Sequence, residues 1–263
     1  MKISVIIPAY ERVIEVLVCL NSLQALETDR WNNEYIVSDD ASPSVFMPAV
    51  ISGRIATIGR NVTNAGFGAN CNEAARHAQG DILFFVNQDI VALAQDAEGN
   101  PLAQAWDKTL RDAFENPEIG IVGARLLFED GSLQSAGGEF DGRRQPHHRY
   151  LGAKNIYWDT INTPKEVSWI TGAALAVRRD LFTKLNGFDE QYVRGYFEDV
   201  DLCLRAREAG FKVWYEPRIT FTHTVGTSGS TGFLKQNAQL FFNRWVQTKK
   251  IEPETPAVYE RFW

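Results

Sequence analysis

The sequence predicts an α/β fold, a mostly parallel central sheet with helices on both faces. Three observations predict it. Through residues 1–100, short β-branched runs alternate with segments whose apolar residues fall at helical spacing. The run Ile82-Leu83-Phe84-Phe85-Val86 is apolar on both faces, as a central strand covered on both sides must be. Strand-like runs also end in polar clusters, and open α/β sheets bind ligands beyond the carboxyl ends of their strands.

The elements follow in order. Residues 2–7 are apolar and β-branched and read as a buried first strand. Residues 12–26 place Val13, Val16, Leu17, Leu20 and Leu23 on one helical face. A short strand at 35–38 runs into Asp39-Asp40-Ala41-Ser42, and 55–58 is a further candidate strand. Phe67–His77 reads as a helix closed by Gly80, and 81–86 as the central strand, followed by Asn87-Gln88-Asp89. Residues 129–166 are rich in glycine, charge and histidine. They predict a long excursion or small hairpin over the site. Regular structure resumes at 167–177, with a helix near 179–185 and a turn at Gly187. A helix opens around Glu198 and ends at Gly210. Two strands, 212–215 and 218–222, are expected with Pro217 between them and His223 at the end of the second. Residues 233–263 mix Phe241, Phe242, Trp245, Tyr259, Phe262 and Trp263 with basic residues. That predicts a helical tail lying on the core or touching a membrane or partner. No repeat or linker divides the chain, so one domain is expected.

Composition narrows the function. Apolar residues make up 44% and charged residues 23% of the 263, which is globular usage and excludes disorder. The net charge of −6 argues against a nucleic-acid partner, because such affinity comes from neutralising phosphates. Cys19, Cys71 and Cys203 are odd in number and form no CxxC, so reduced, buried thiols are expected. The first apolar stretch is too short for a signal peptide, and no run is long enough to span a bilayer. A cytoplasmic protein is the expectation.

Four constellations could carry chemistry. Asp39-Asp40 and Asp89 follow strands and would face one crevice. The first pair could accept hydrogen bonds from a base or ribose, and the second could hold a divalent cation. Asp39-Asp40 could equally be a turn or cap. Asn64-Ala65-Gly66-Phe67-Gly68-Ala69-Asn70 contains GxG, but Cys71 occupies the third glycine position of a dinucleotide fingerprint. Its glycines allow close approach to a ligand. Glu198, Asp199 and Asp201 gather three carboxylates behind Tyr196-Phe197, more than a helix dipole alone explains. His223 at a strand end near Asp89 would complete a cation site, whereas His147-His148 has no spaced partner.

These residues carry a resemblance. The chain resembles family 2 glycosyltransferases of the GT-A fold, most of all the bacterial rhamnosyltransferase-like branch. The matching pieces are Val5-Ile6-Ile7-Pro8-Ala9-Tyr10, Val37-Ser38-Asp39-Asp40-Ala41-Ser42, the segment 64–70, and Phe84-Phe85-Val86-Asn87-Gln88-Asp89. Thr171-Gly172-Ala173, Gly187-Phe188-Asp189-Glu190, Phe197-Glu198-Asp199-Val200-Asp201-Leu202 and residues 223–228 continue the series in the family's order. The resemblance implies a Rossmann-like sheet with a C-terminal acceptor-side region. Within one domain of residues 1–263 it implies a nucleotide-sugar half (1–125), an acceptor and catalytic half (126–232) and a helical tail (233–263).

It also implies an inverting transferase. A UDP- or dTDP-sugar would give its sugar to a hydroxyl of a saccharide or lipid-linked glycan, with Mn2+ or Mg2+ on the diphosphate. By position, Pro8, Ala9, Tyr10, Asp40 and Asp39 match the base and ribose pocket, and Asn64, Gly66 and Asn70 flank the donor. Asn87-Gln88-Asp89 matches the DxD motif with Asn in place of the first acid. Asp89 and His223 then become the metal ligands. Asp199 matches the general base, with Glu198 beside it and Asp201 in reserve. Trp169, Thr171 and Gly172 fall on the acceptor side, where Trp169 could stack on a sugar or simply pack in the core. A homodimer and a peripheral contact with the inner face of the membrane are compatible with the tail. A sugar nucleotidyltransferase would need a glycine-rich basic loop after the first strand, and Pro8-Ala9-Tyr10-Glu11 is not one. A degenerate protein that only binds a sugar nucleotide is the other alternative.

Overall fold

The computed structural model describes residues 1–43, 57–224 and 231–253. The chain opens β1 (Ile3–Ala9), α1 (Val13–Leu26), β2 (Asn33–Asp39), β3 (Thr57–Arg60), α2 (Phe67–His77), β4 (Ile82–Val86), β5 (Ile90–Ala92) and α3 (Trp106–Ala113). It continues through β6 (Ile119–Leu127), β7 (Leu133–Ser135), β8 (Gly138–Phe140), β9 (Pro146–His148), the one-turn α4 (Asp159–Asn162) and β10 (Lys165–Glu166). β11 (Ala174–Arg178), α5 (Arg179–Lys184), α6 (Glu198–Glu208), β12 (Lys212–His223) and α7 (Leu234–Phe241) complete it.

One sheet runs β10-β12-β6-β11-β4-β1-β2-β3. β4, β1, β2 and β3 run parallel to one another, and β12 and β6 run parallel to each other. β11 is antiparallel to both β4 and β6 and joins the two parallel sets. Alternation along the strands separates two cores. Val5, Ile7, Phe84 and Val86 face a layer holding α1 and Trp106. Ile6, Leu83 and Phe85 face the opposite layer with Phe188, Leu202 and Trp245. A strand buried on both faces must be apolar at every position, which is why β4 reads as an unbroken run.

The strand expected at 55–58 is found as β3; residues 55 and 56 lie outside the described residues. Gly80 is not the cap of α2, which ends at His77 with Ala78 following. A Cβ at Gly80 would stand 2.5 Å from the Ser4 amide nitrogen, so close approach to β1 demands the glycine. The two strands expected around Pro217 are one strand, β12. Its register against β6 steps from Glu216 opposite Ala124 to Thr220 opposite Arg125. The step loops Pro217 out of the ladder, so its missing N–H removes no sheet hydrogen bond.

Residues 129–166 form the expected hairpin, β8 with β9, alongside β7 on the edge of β6. The described part of the tail packs on the core: Phe241 and Trp245 are each 1% exposed. Phe241 stacks near Phe140 and Phe197, and the Trp245 indole N–H donates to Asp201 over 2.8 Å. Tyr259, Phe262 and Trp263 lie outside the described residues. The three cysteines are free and buried, as expected. No helix among the described residues is long and apolar enough to cross a membrane.

Candidate active site

Two adjoining cavities open where the strands end. The first, about 500 Å³, is walled by Pro8, Ala9 and Tyr10 from the end of β1 and by Asp40 from the end of β2. Asn64, Gly66 and Asn70 close another side, and Asn87, Gln88 and Asp89 follow β4. All the donor-side residues expected from the sequence therefore converge, except Asp39. Asp39 is fully buried and its two oxygens are occupied. One accepts from the Ser42 amide and hydroxyl, the other from Arg60. It is a turn residue and not part of the wall, because a buried carboxylate with three donors is already satisfied.

Asp40 does face the cavity, and its oxygens also build the loop. They accept from Ala65 N–H at 2.7 Å, Gly66 N–H at 2.8 Å and the Asn61 amide at 2.8 Å. Asn70, 1% exposed, accepts from the Ser38 hydroxyl and donates to the Ser38 carbonyl. Gln88 accepts from Tyr10 N–H at 2.9 Å and so ties the end of β4 to the end of β1. Gly66 has φ of 91°, and a Cβ there would stand 2.7 Å from Arg194 Cα. Both facts require glycine.

Asp89 and His223 meet because β5 pairs antiparallel with β12, setting His223 opposite Ile90. His223 Nε2 lies 3.1 Å from Asp89 Oδ1 and 3.4 Å from the Asn87 amide nitrogen. His223 Nδ1 is 2.6 Å from Gln134 Oε1. A carbonyl oxygen can only accept, so Gln134 holds a proton on Nδ1, and Nε2 is the ring nitrogen that would face a cation shared with Asp89. One carboxylate oxygen and one imidazole nitrogen suit Mn2+ or Mg2+ when a diphosphate supplies further oxygens. Among the described residues no three His, Cys, Asp or Glu side chains cluster as a self-sufficient metal site. Asp89 and His223 thus fit a cation shared with a ligand.

The second cavity, about 450 Å³, is lined by Asn87, Asp89 and His223 together with Glu198, Asp199, Thr171 and Gly172. Asp199 sits in the first turn of α6. One oxygen accepts from Gly172 N–H at 2.9 Å and the other from Val200 N–H at 2.8 Å. Burial raises its pKa above the usual 3.8, and the hydrogen bonds from Gly172, Val200 and Thr171 oppose the rise. Glu198 is 5% exposed, and its Oε2 has no hydrogen-bond partner among the described residues. Burial, then the charge of Asp199, pushes it well above 4.5. Asp201 is a different kind of acid. It is fully buried and accepts from Arg205, Arg244 and Trp245, so it joins α6 to the tail. Trp169 is 4% exposed, donates to the Glu139 carbonyl and packs 4.9 Å from His148. It is chiefly a packed residue with an edge on the cavity.

Several residues in or behind the walls escaped the sequence reading. Gln134 lies 89 positions from His223 and carries no motif. His147 and His148, without a metal-like spacing, still line the second cavity. Burial pushes His148 down to about 4, so the ring is neutral at pH 7. Arg194, Tyr196 and Phe197 have φ of 68°, 76° and 75° directly before Glu198. Each such residue costs about 1–3 kcal/mol and persists only where its surroundings impose it. Asn237 of α7 imposes it here. Fully buried, it accepts from Val193 N–H and donates to the carbonyls of Val193 and Gly195.

This arrangement is an α/β sheet with acids from the strand ends and from the first turn of α6 lining adjoining cavities. Residues 4–161 match Glycosyl transferase family 2, and the chain belongs to that family. An uncharacterized protein y4gI of Sinorhizobium fredii is 28% identical over 257 residues, covering 94% of this chain and 27% of its own length. The N-acetylglucosaminyl-diphospho-decaprenol L-rhamnosyltransferase of Mycobacterium tuberculosis is 30% identical over 165 residues, 52% of this chain and 53% of that protein. The chain thus spans about a quarter to a half of these relatives. A crystal structure of GalNAc-T7 with UDP, GalNAc and Mn2+ superposes with a TM-score of 0.72 at 17% identity, covering 95% of this chain and 49% of that one. The fold is that of GT-A glycosyltransferases, as the sequence led us to expect.

Proposed function

We propose that the chain is an inverting glycosyltransferase. It moves a sugar from a UDP- or dTDP-linked donor to a hydroxyl of a saccharide or lipid-linked glycan. One observation carries this reading: Asp199 and the Asp89–His223 pair line one cavity, and that cavity shares Phe67, Asn87, Asp89 and Arg194 with the donor-side cavity. The M. tuberculosis relative, named for a diphospho-decaprenol acceptor, supports the lipid-linked alternative for the acceptor.

The chemistry follows from the residues. The base and ribose lie against Tyr10 and Asp40, and the diphosphate runs toward Asp89. Asp89 and His223 would hold Mn2+ or Mg2+, which neutralises charge on the departing diphosphate. Asp199 accepts the proton of the attacking hydroxyl as that oxygen bonds to the anomeric carbon. The sugar–phosphate bond breaks on the opposite face, so one base suffices and the configuration inverts. A raised pKa suits Asp199 to this role, since a stronger base takes the proton more readily.

A thermal-shift panel of nucleotide sugars with and without Mn2+ tests the reading. The expected result is stabilisation by one donor class in the presence of Mn2+, abolished in Asp89→Ala. Equal stabilisation in a chelator, or none by any donor, overturns it.

A further inference from the structure

The acids of the two cavities present a problem to any diphosphate. Asp40, Asp89, Glu198 and Asp199 all line the walls. Among the described residues lining either cavity, Arg194 supplies the one lysine or arginine side chain, and it lines both. Arg194 is exposed. No hydrogen bond or ion pair joins its guanidinium to another described residue. Its backbone, by contrast, is fixed from two directions. The Arg194 carbonyl accepts from Phe67 N–H at 3.2 Å, and Gly66 pairs with Arg194 in a parallel bridge. From the other side Asn237 grips Val193 and Gly195. A left-handed backbone, held at a cost, thus roots an unengaged cation at the junction between the donor wall and the cavity of Asp199.

We propose that Arg194 binds a diphosphate at this junction. The inference rests on the glycosyl-transfer reading and adds a residue to it. A guanidinium presents a fork of N–H donors that matches two phosphate oxygens. It supplies the positive charge that Asn87, Asp89 and His223 do not. Two molecules in the proposed reaction carry this group, the nucleotide sugar and a polyprenyl-diphosphate acceptor, and Arg194 borders the space of both.

Calorimetry on the full chain with Mn2+ tests it, using UDP, dTDP and thymidine for the donor and farnesyl diphosphate for the acceptor. Arg194→Asn removes the charge and retains a residue that tolerates positive φ. Arg194→Lys keeps the charge under the same backbone demand as arginine and serves if the Asn variant melts early. The expected result is a loss of roughly 10- to 100-fold in nucleoside diphosphate affinity for Arg194→Asn, with thymidine unaffected and Arg194→Lys in between. A loss confined to farnesyl diphosphate also supports diphosphate binding and assigns it to the acceptor. Unchanged affinity for both diphosphates overturns the proposal. A wild-type chain that binds neither UDP nor dTDP sinks the transfer reading itself, a separate result read before any variant is made.

Discussion

The donor wall and the acceptor wall of this crevice are built in opposite ways. The donor wall sits on the parallel strands β4, β1 and β2, and its polar residues simply follow the strand ends. Its acids are satisfied: Asp39 and Asp40 each accept three hydrogen bonds from neighbouring chain. The acceptor wall hangs from a run of positive-φ residues clamped by a helix more than forty positions later. There Glu198 keeps an oxygen with no partner among the described residues, and Asp199, which accepts from Gly172, Val200 and Thr171, stands beside it in the first turn of α6. Burial raises the pKa of both Glu198 and Asp199, and a carboxylate raised in this way takes a proton more readily. The contrast predicts that equal changes on the two walls have unequal effects on turnover.

The largest effect is expected at Asp199. Asp199→Asn keeps the shape of the side chain and removes its ability to accept a proton. Turnover should fall about 10²- to 10⁴-fold, with donor affinity retained, because the lost interaction belongs to the transition state. In the wild type, the acid limb of the pH–rate profile should lie above the ordinary aspartate value of 3.8, since burial raises this group. Steady-state kinetics beside calorimetry separate the two quantities. Near-normal turnover in Asp199→Asn would show that the acceptor wall carries no base and erase the contrast.

A smaller effect is expected at Asn237. Asn237→Ala leaves the part-buried Val193 N–H and the Gly195 carbonyl without this partner, while the Val193 carbonyl keeps the Gly195 N–H. Each unmet group costs roughly 1–3 kcal/mol, so urea denaturation should show a loss on that scale. Released strain would also let Tyr196 and Phe197 relax and carry Asp199 from its place. A fall in kcat of roughly tenfold corresponds to about 1.4 kcal/mol of lost positioning. A purely structural clamp would lower stability and leave kcat unchanged, and that outcome would detach the loop from the chemistry.

The same contrast explains what could be read from the sequence. The donor wall was legible because period-two burial and strand-end polarity are local signals, and all of the residues expected there except Asp39 line the one cavity. Asp39 was misplaced because an acid in an Asx-type turn and an acid in a ligand wall have the same sequence. On the acceptor wall the Glu198-Asp199 cluster stood out from the residues themselves, while Trp169, Thr171 and Gly172, which also line the second cavity, were expected only through the family resemblance. Gln134, Asn237 and Arg194 owe their places to contacts across 89 and 44 positions and to a sheet bridge with Gly66. No periodicity encodes such contacts. Pro217 misled for a related reason. Its effect on β12 depends on a register step against β6 that the strand's own residues do not specify.

The smallest effect on turnover is expected at Glu198, immediately beside the most sensitive residue. Burial and the Asp199 charge raise its pKa well above 4.5, so the folded protein holds this proton where the unfolded chain has released it. Folding stability then falls as pH rises, because the native state binds more protons than the unfolded state. The contribution is whole below pH 4.5 and disappears as pH climbs through the folded value. Each unit of pH within that window costs about 1.4 kcal/mol. Glu198→Gln has the shape of the protonated acid and nothing to ionise. Its turnover at neutral pH should stay close to wild type, and its stability should lose this slope. Denaturation series from pH 4 to pH 8 on both proteins measure it. Suppose instead that wild-type stability is flat across the range and Glu198→Gln loses as much turnover as Asp199→Asn. Glu198 would then be the ionised partner, and the base on the acceptor wall would be the residue one position earlier.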